Sequence, residues 1–77
     1  AIQKYGQLNQ KIVAMEECSE LQKEISKMLR GRGNIHNLAE EMADVYIMLH
    51  QLAIMYDINI GVVVDEKCER LEKRMNE

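Results

Sequence analysis

Leu38-Ala39-Glu40-Glu41-Met42-Ala43-Asp44-Val45-Tyr46-Ile47-Met48-Leu49 is the stretch that decides the fold. Leu38, Val45, Leu49, Leu52 and Tyr56 form a stripe at helical spacing, with Met42 and Met48 beside it. Ala43, Ile47 and Ile54 sit on the back. A helix apolar on nearly all sides is buried on nearly all sides. In a chain of 77 residues that burial requires another subunit. The pattern predicts a helix from Leu38 to about Tyr56, with Asn37 as its N-cap and Glu40 at the N3 position.

Working outward, Gly31-Arg32-Gly33-Asn34 supplies a stop and a turn before this helix. A first helix from about Ile2 to Arg30 precedes the turn. Ile2, Tyr5, Leu8, Ile12 and Met15 form one stripe in it, and Ala14, Cys18, Leu21, Ile25, Met28 and Leu29 another. The stripes point well apart, so either the helix breaks near Gly6–Val13 or its halves face different partners. A third helix is expected from about Ile60 to Met75, capped by Asn59, with Ile60, Val64, Cys68, Leu71 and Met75 as its stripe. The run Ile60-Gly61-Val62-Val63-Val64 suits a strand by propensity, but no second strand exists to pair with it. Residues 1–77 therefore read as a single all-α domain, an antiparallel helical bundle completed by homo-oligomerisation.

Composition narrows the function. The chain is 47% hydrophobic but has no Phe, Trp or Pro and four Gly, which argues against disorder and against a turn-rich β-sandwich. Two cysteines allow at most one intramolecular bridge, so a disulfide scaffold is excluded. Cys18 and Cys68 fall on core stripes and read as buried, reduced thiols of a cytoplasmic protein. No signal-peptide pattern is present, and no apolar run approaches the ~20 residues that span a bilayer, so no membrane partner is expected. A net charge of −3 without clustered Lys and Arg makes nucleic acid an unsuitable partner.

The informative residues are acids set against this pattern. Glu41 lies between Leu38 and Val45, and Glu17 between Val13 and Leu21. A carboxylate within a buried stripe is costly unless a cation or donors compensate it. Glu20 and Asp44 each follow one helical turn on, so two helices each carry an acid-x-x-acid pair. If those faces meet, four carboxylates converge. Oxygen-only ligands of that charge suit Mg²⁺, or Mn²⁺ in its place, rather than Zn²⁺. Glu16, Glu24 and Glu40 are expected to be solvated or to be ion-pair partners, as most helix acids are. The Glu-x-x-His pair of di-iron bundles is absent, because Gly33 and Ile47 stand three residues before His36 and His50.

Glu16-Glu17-Cys18-Ser19-Glu20, twenty residues, and then Glu41-Met42-Ala43-Asp44 reads E-E-x-x-E and E-x-x-D. This resembles the metal-binding signature of the MazG-like nucleotide pyrophosphohydrolases, in the all-α NTP pyrophosphatase superfamily. The resemblance extends over nearly the whole chain. It implies a homodimer or homotetramer that hydrolyses (deoxy)nucleoside triphosphates to monophosphate and pyrophosphate with Mg²⁺, a water activated by the metal attacking the α-phosphorus. By motif position Glu17, Glu20, Glu41 and Asp44 would ligate the metal, and Glu16 would be an accessory catalytic acid. Family members carry an Asn-x-Lys-x-x-Arg-like segment in the last helix. Here it reads Asp65-Glu66-Lys67-Cys68-Glu69-Arg70, so Lys67 and Arg70 would contact phosphates while Asp65 departs from the pattern. Lys27, Arg30 and Arg32 near the glycine turn are further phosphate candidates. The competing reading is a non-catalytic helical interaction module, which explains the apolar back of the middle helix but not Glu41.

Overall fold

A helix that runs without proline from Ile2 stops where its backbone reaches Gly31. Gly31 takes φ +72°, the left-handed conformation that costs an L side chain most. Its N–H donates to Met28 O at 3.1 Å, and Arg32 N–H donates to Lys27 O at 2.9 Å. These two bonds form a Schellman motif and satisfy carbonyls that the helix end leaves open. The chain then doubles back so closely that a Cβ on Gly33 would lie 2.8 Å from Met28 Cα. In this computed structural model the backbone is described for residues 2–76 and the side chains for residues 6–76. The expected stripe positions Ile2 and Tyr5 lie outside the described side chains.

The elements are α1 (Ile2–Leu29), α2 (Ile35–Met55) and α3 (Ile60–Met75). α1 continues unbroken through Gly6–Val13, so the stripes do not mark a kink. Within them Ala14 is buried and Leu21 half-buried, while Leu8, Ile12, Met15, Cys18, Ile25, Met28 and Leu29 are exposed. α2 starts one turn earlier than expected. Its N-cap is Asn34, not Asn37: the Asn34 side chain accepts from the N–H groups of His36 (2.8 Å) and Asn37 (3.2 Å). The turn delivers Asn34 with extended backbone (φ −133°, ψ 125°), which a cap requires, whereas Asn37 is already helical. α2 closes with a second Schellman pattern, Ile58 N–H to Ala53 O at 2.8 Å and Asp57 N–H to Ile54 O at 3.3 Å. Here Asp57, at φ 53°, holds the left-handed position. Asn59 caps α3 as expected, accepting from Val62 N–H at 3.3 Å.

The short turn makes α1 and α2 antiparallel neighbours, and among the described residues substantial helix–helix contact occurs between these two. Ala14 and Met48 are the buried hydrophobic pair at the centre, flanked by half-buried Val13, Leu21, Leu38, Val45 and Leu52. Met48 thus belongs to the core, while Leu49 and Tyr56, expected in the stripe, stay exposed. α3 leaves α2 at 110°. Its stripe of Ile60, Val64, Cys68, Leu71 and Met75 is exposed along its whole length. Cys18 and Cys68 are likewise exposed rather than buried. The helical period locates a stripe correctly, but burial needs a surface opposite it, and one chain supplies that surface only between α1 and α2.

Candidate functional site

Antiparallel packing of α1 on α2 sets Glu17 against Glu41 and Asp44. One carboxylate oxygen of each lies within 4.8 Å of the other two. Glu41 and Asp44, three residues apart on α2, share one side of that helix. The i, i+3 spacing and the hairpin together place three acids where the apolar seam of the pair opens. Glu17 and Glu41 are half-buried. Oε2 of Glu41 is buried and has no hydrogen-bond partner.

This is electrostatically expensive. Burial pushes the Glu17 carboxyl above the usual carboxylate range, and the charges of Asp44, Glu41 and Glu20 push it the same way. Glu41 is raised by burial first and then by Asp44, Glu20, Glu24 and Glu40. Among the described residues the ion pairs are Lys27–Glu24 and His36–Glu40, and neither reaches the three-acid group. A buried oxygen without a donor, amid like charges with no counter-ion among the described residues, is an arrangement that can accept a cation. The donor set is all oxygen, which fits Mg²⁺ or Mn²⁺.

Glu20 stands one turn beyond Glu17, exposed, close enough for its charge to act on both Glu17 and Glu41. Glu16 is exposed and outside the three-acid group. Lys67 and Arg70 are on α3, away from the α1–α2 packing, and make no ion pair with these acids. Glu24 is an ion-pair partner, as its sequence position allows, but a buried one rather than a solvated one: it is 8% exposed, and its Oε1 accepts from Lys27 Nζ at 3.2 Å. The signal was available: Glu24 follows Glu17 by seven residues, close to two full turns, and so lies on the same side of α1. A separate cleft of about 850 Å³ fills the elbow between α2 and α3, lined by Tyr46, Leu49, His50, Ile58, Ile60 and Val64 among others.

The family model for the MazG nucleotide pyrophosphohydrolase domain matches residues 6–77. No curated protein and no solved structure matches the chain.

Proposed function

The chain belongs to the MazG nucleotide pyrophosphohydrolase family, and on that footing we propose that it cleaves a nucleoside or deoxynucleoside triphosphate to the monophosphate and pyrophosphate with Mg²⁺. The observation that carries the reading is the meeting of Glu17, Glu41 and Asp44 from two helices around a buried, unpartnered Glu41 oxygen. Glu17, Glu20, Glu41 and Asp44 hold the metal, with Mn²⁺ as a possible substitute, and Glu16 is an accessory acid beside them. When bound, the metal offsets phosphate charge and acidifies water for attack at the α-phosphorus. Burial and the neighbouring carboxylates disfavour the charged forms of Glu17 and Glu41, so a bound cation would offset that cost.

Lys67 and Arg70 act as phosphate contacts. Because α3 stands apart from α1 and α2, they reach the site through assembly of a homodimer or homotetramer. The exposed apolar stripe of α3 and the bare back of α2, with Ile47 52% and Ile54 75% exposed, support that assembly. A cytoplasmic location belongs to the same proposal. A non-catalytic interaction module would account for these faces too, but leaves the buried Glu41 oxygen without a purpose.

The test is a screen of the common NTPs and dNTPs with Mg²⁺, separating pyrophosphate from orthophosphate release. Pyrophosphate and monophosphate in equal amounts support the proposal. Orthophosphate and diphosphate as products, or no turnover of any nucleotide, overturn it.

A further inference from the structure

Glu24 is the buried charged residue among those described, and its side chain is held by an ammonium that is itself partly in solvent. The Glu24 side chain is 10% exposed and the Lys27 side chain 37% exposed. The pair is therefore oriented, with its negative end under the surface and its positive end outward. One donor of the lysine points down to Glu24 Oε1, leaving the other two for solvent or a ligand.

Glu17, Glu20, Glu24 and Lys27 follow each other at three- and four-residue steps, so they line one side of α1. Lys27 lies seven residues beyond Glu20, about 10 Å along the helix axis. Helical side chains lean toward the N-terminus, which carries its ammonium back toward the acids. The bond to Glu24, three residues before it, runs in that direction. Glu24 is coupled to the site as well, since its charge contributes to raising the Glu41 carboxyl. A polyphosphate whose α-phosphate met a cation held by Glu17, Glu41 and Asp44 would reach Lys27 by running along this row toward the C-terminal end of α1.

We propose that Lys27, held in place by buried Glu24, contacts the β- or γ-phosphate of the substrate, with Glu24 as its positioning residue. This rests on the proposed pyrophosphohydrolase reading and assigns to α1 a phosphate contact independent of Lys67 and Arg70 on α3.

The experiment compares wild type with Lys27→Met, Lys27→Arg and Glu24→Gln. Losing one charge-assisted hydrogen bond should raise KM for the Mg²⁺-nucleotide about tenfold in Lys27→Met, with kcat little changed. Inhibition by inorganic pyrophosphate should weaken by a similar factor. Lys27→Arg should recover most of both. Glu24→Gln, which keeps the shape but frees the ammonium, should shift KM the same way by less. The thermal shift produced by Mg²⁺ alone should be the same in Lys27→Met as in wild type, because the lysine holds phosphate and not metal. Unchanged KM and unchanged pyrophosphate inhibition in Lys27→Met overturn the proposal, as does loss of the Mg²⁺ shift in that variant. If Glu24→Gln fails to fold, the two lysine variants decide alone. If wild type turns over no nucleotide, the functional reading fails. Calorimetry of Mg²⁺-pyrophosphate on wild type and Lys27→Met then decides the lysine: tighter binding by wild type supports the contact, and equal binding or none overturns it.

Discussion

The α1–α2 pair and α3 are built from similar material and end in opposite states. Both present apolar residues at helical spacing, and both begin or end on asparagine or glycine caps. In the pair, the hairpin turn forces two stripes together and buries Ala14 and Met48. In α3, a 110° elbow points an equally regular stripe into solvent. The acids follow the same division. Those on the seam of the pair, Glu17, Glu24 and Glu41, lose exposure, while Glu66, Glu69 and Glu72 on α3 remain exposed. Packing, not residue type, turns a helix acid into part of a site.

The sharpest way to break this contrast is to remove one acid from the seam. Glu41→Gln, and Asp44→Asn likewise, should lower Mg²⁺-dependent pyrophosphate release by about a hundredfold or more, the scale on which a preorganised electrostatic group acts. Circular dichroism should show unchanged helicity. Full turnover in either variant would remove these acids from the metal site.

The second test asks whether a second copy of the chain covers α3. Sedimentation at micromolar concentration should show a dimer or larger species. Val64→Asp, in the middle of the exposed stripe, should shift it toward the 9.0 kDa monomer. A folded wild-type monomer would show that the apolar faces have another use.

A smaller effect separates the two regions by stability. At a free Mg²⁺ concentration a hundred times Kd, binding to one site adds about 2.7 kcal/mol. For a chain of this size that raises the midpoint by roughly 10 °C. Glu41→Gln should gain little in an ionic-strength-matched buffer, and equal shifts in both proteins would indicate charge screening instead. The pH dependence without metal has a definite sign. Glu17 and Glu41 hold protons more tightly folded than unfolded, so the native state binds more protons between the ordinary value of 4.5 and the raised ones. Stability is therefore highest below that window and falls as pH rises through it. In Glu41→Gln the fall should be shallower, and a rise with pH in wild type would contradict the placement of these acids.

The smallest effect concerns the two Schellman turns. Gly31 fills the left-handed position after α1, but Asp57 fills it after α2. Asp57→Gly should stabilise the chain by roughly 0.5–1 kcal/mol, relieving part of the left-handed penalty that Asp only partly escapes. A chemical-denaturation midpoint that falls would mean that the Asp57 side chain contributes to the elbow in its own right.

Much of the molecule is legible in the sequence. The glycine turn, the absence of proline and the 3.6-residue period determine three helices, and Asn59 determines where the third begins. The acid-x-x-acid pairs with Glu17 and Glu41 in apolar lines determine that carboxylates stand where desolvation is costly. These are local properties, set by backbone geometry and by the spacing of neighbours on one helix. Other features required the fold. Asn34 prevails over Asn37 as a cap because the Gly33 turn leaves it extended at the mouth of the helix, a backbone state that residue type alone does not specify. Cys18 and Cys68 sit on regular stripes and are nonetheless exposed, because a stripe records the direction of a side chain and not what lies opposite. Glu24 shows the converse. Its period puts it beside Glu17, but only contact with α2 removes water from it and leaves Lys27 as its partner. Burial is a property of two surfaces, and a sequence states one surface at a time.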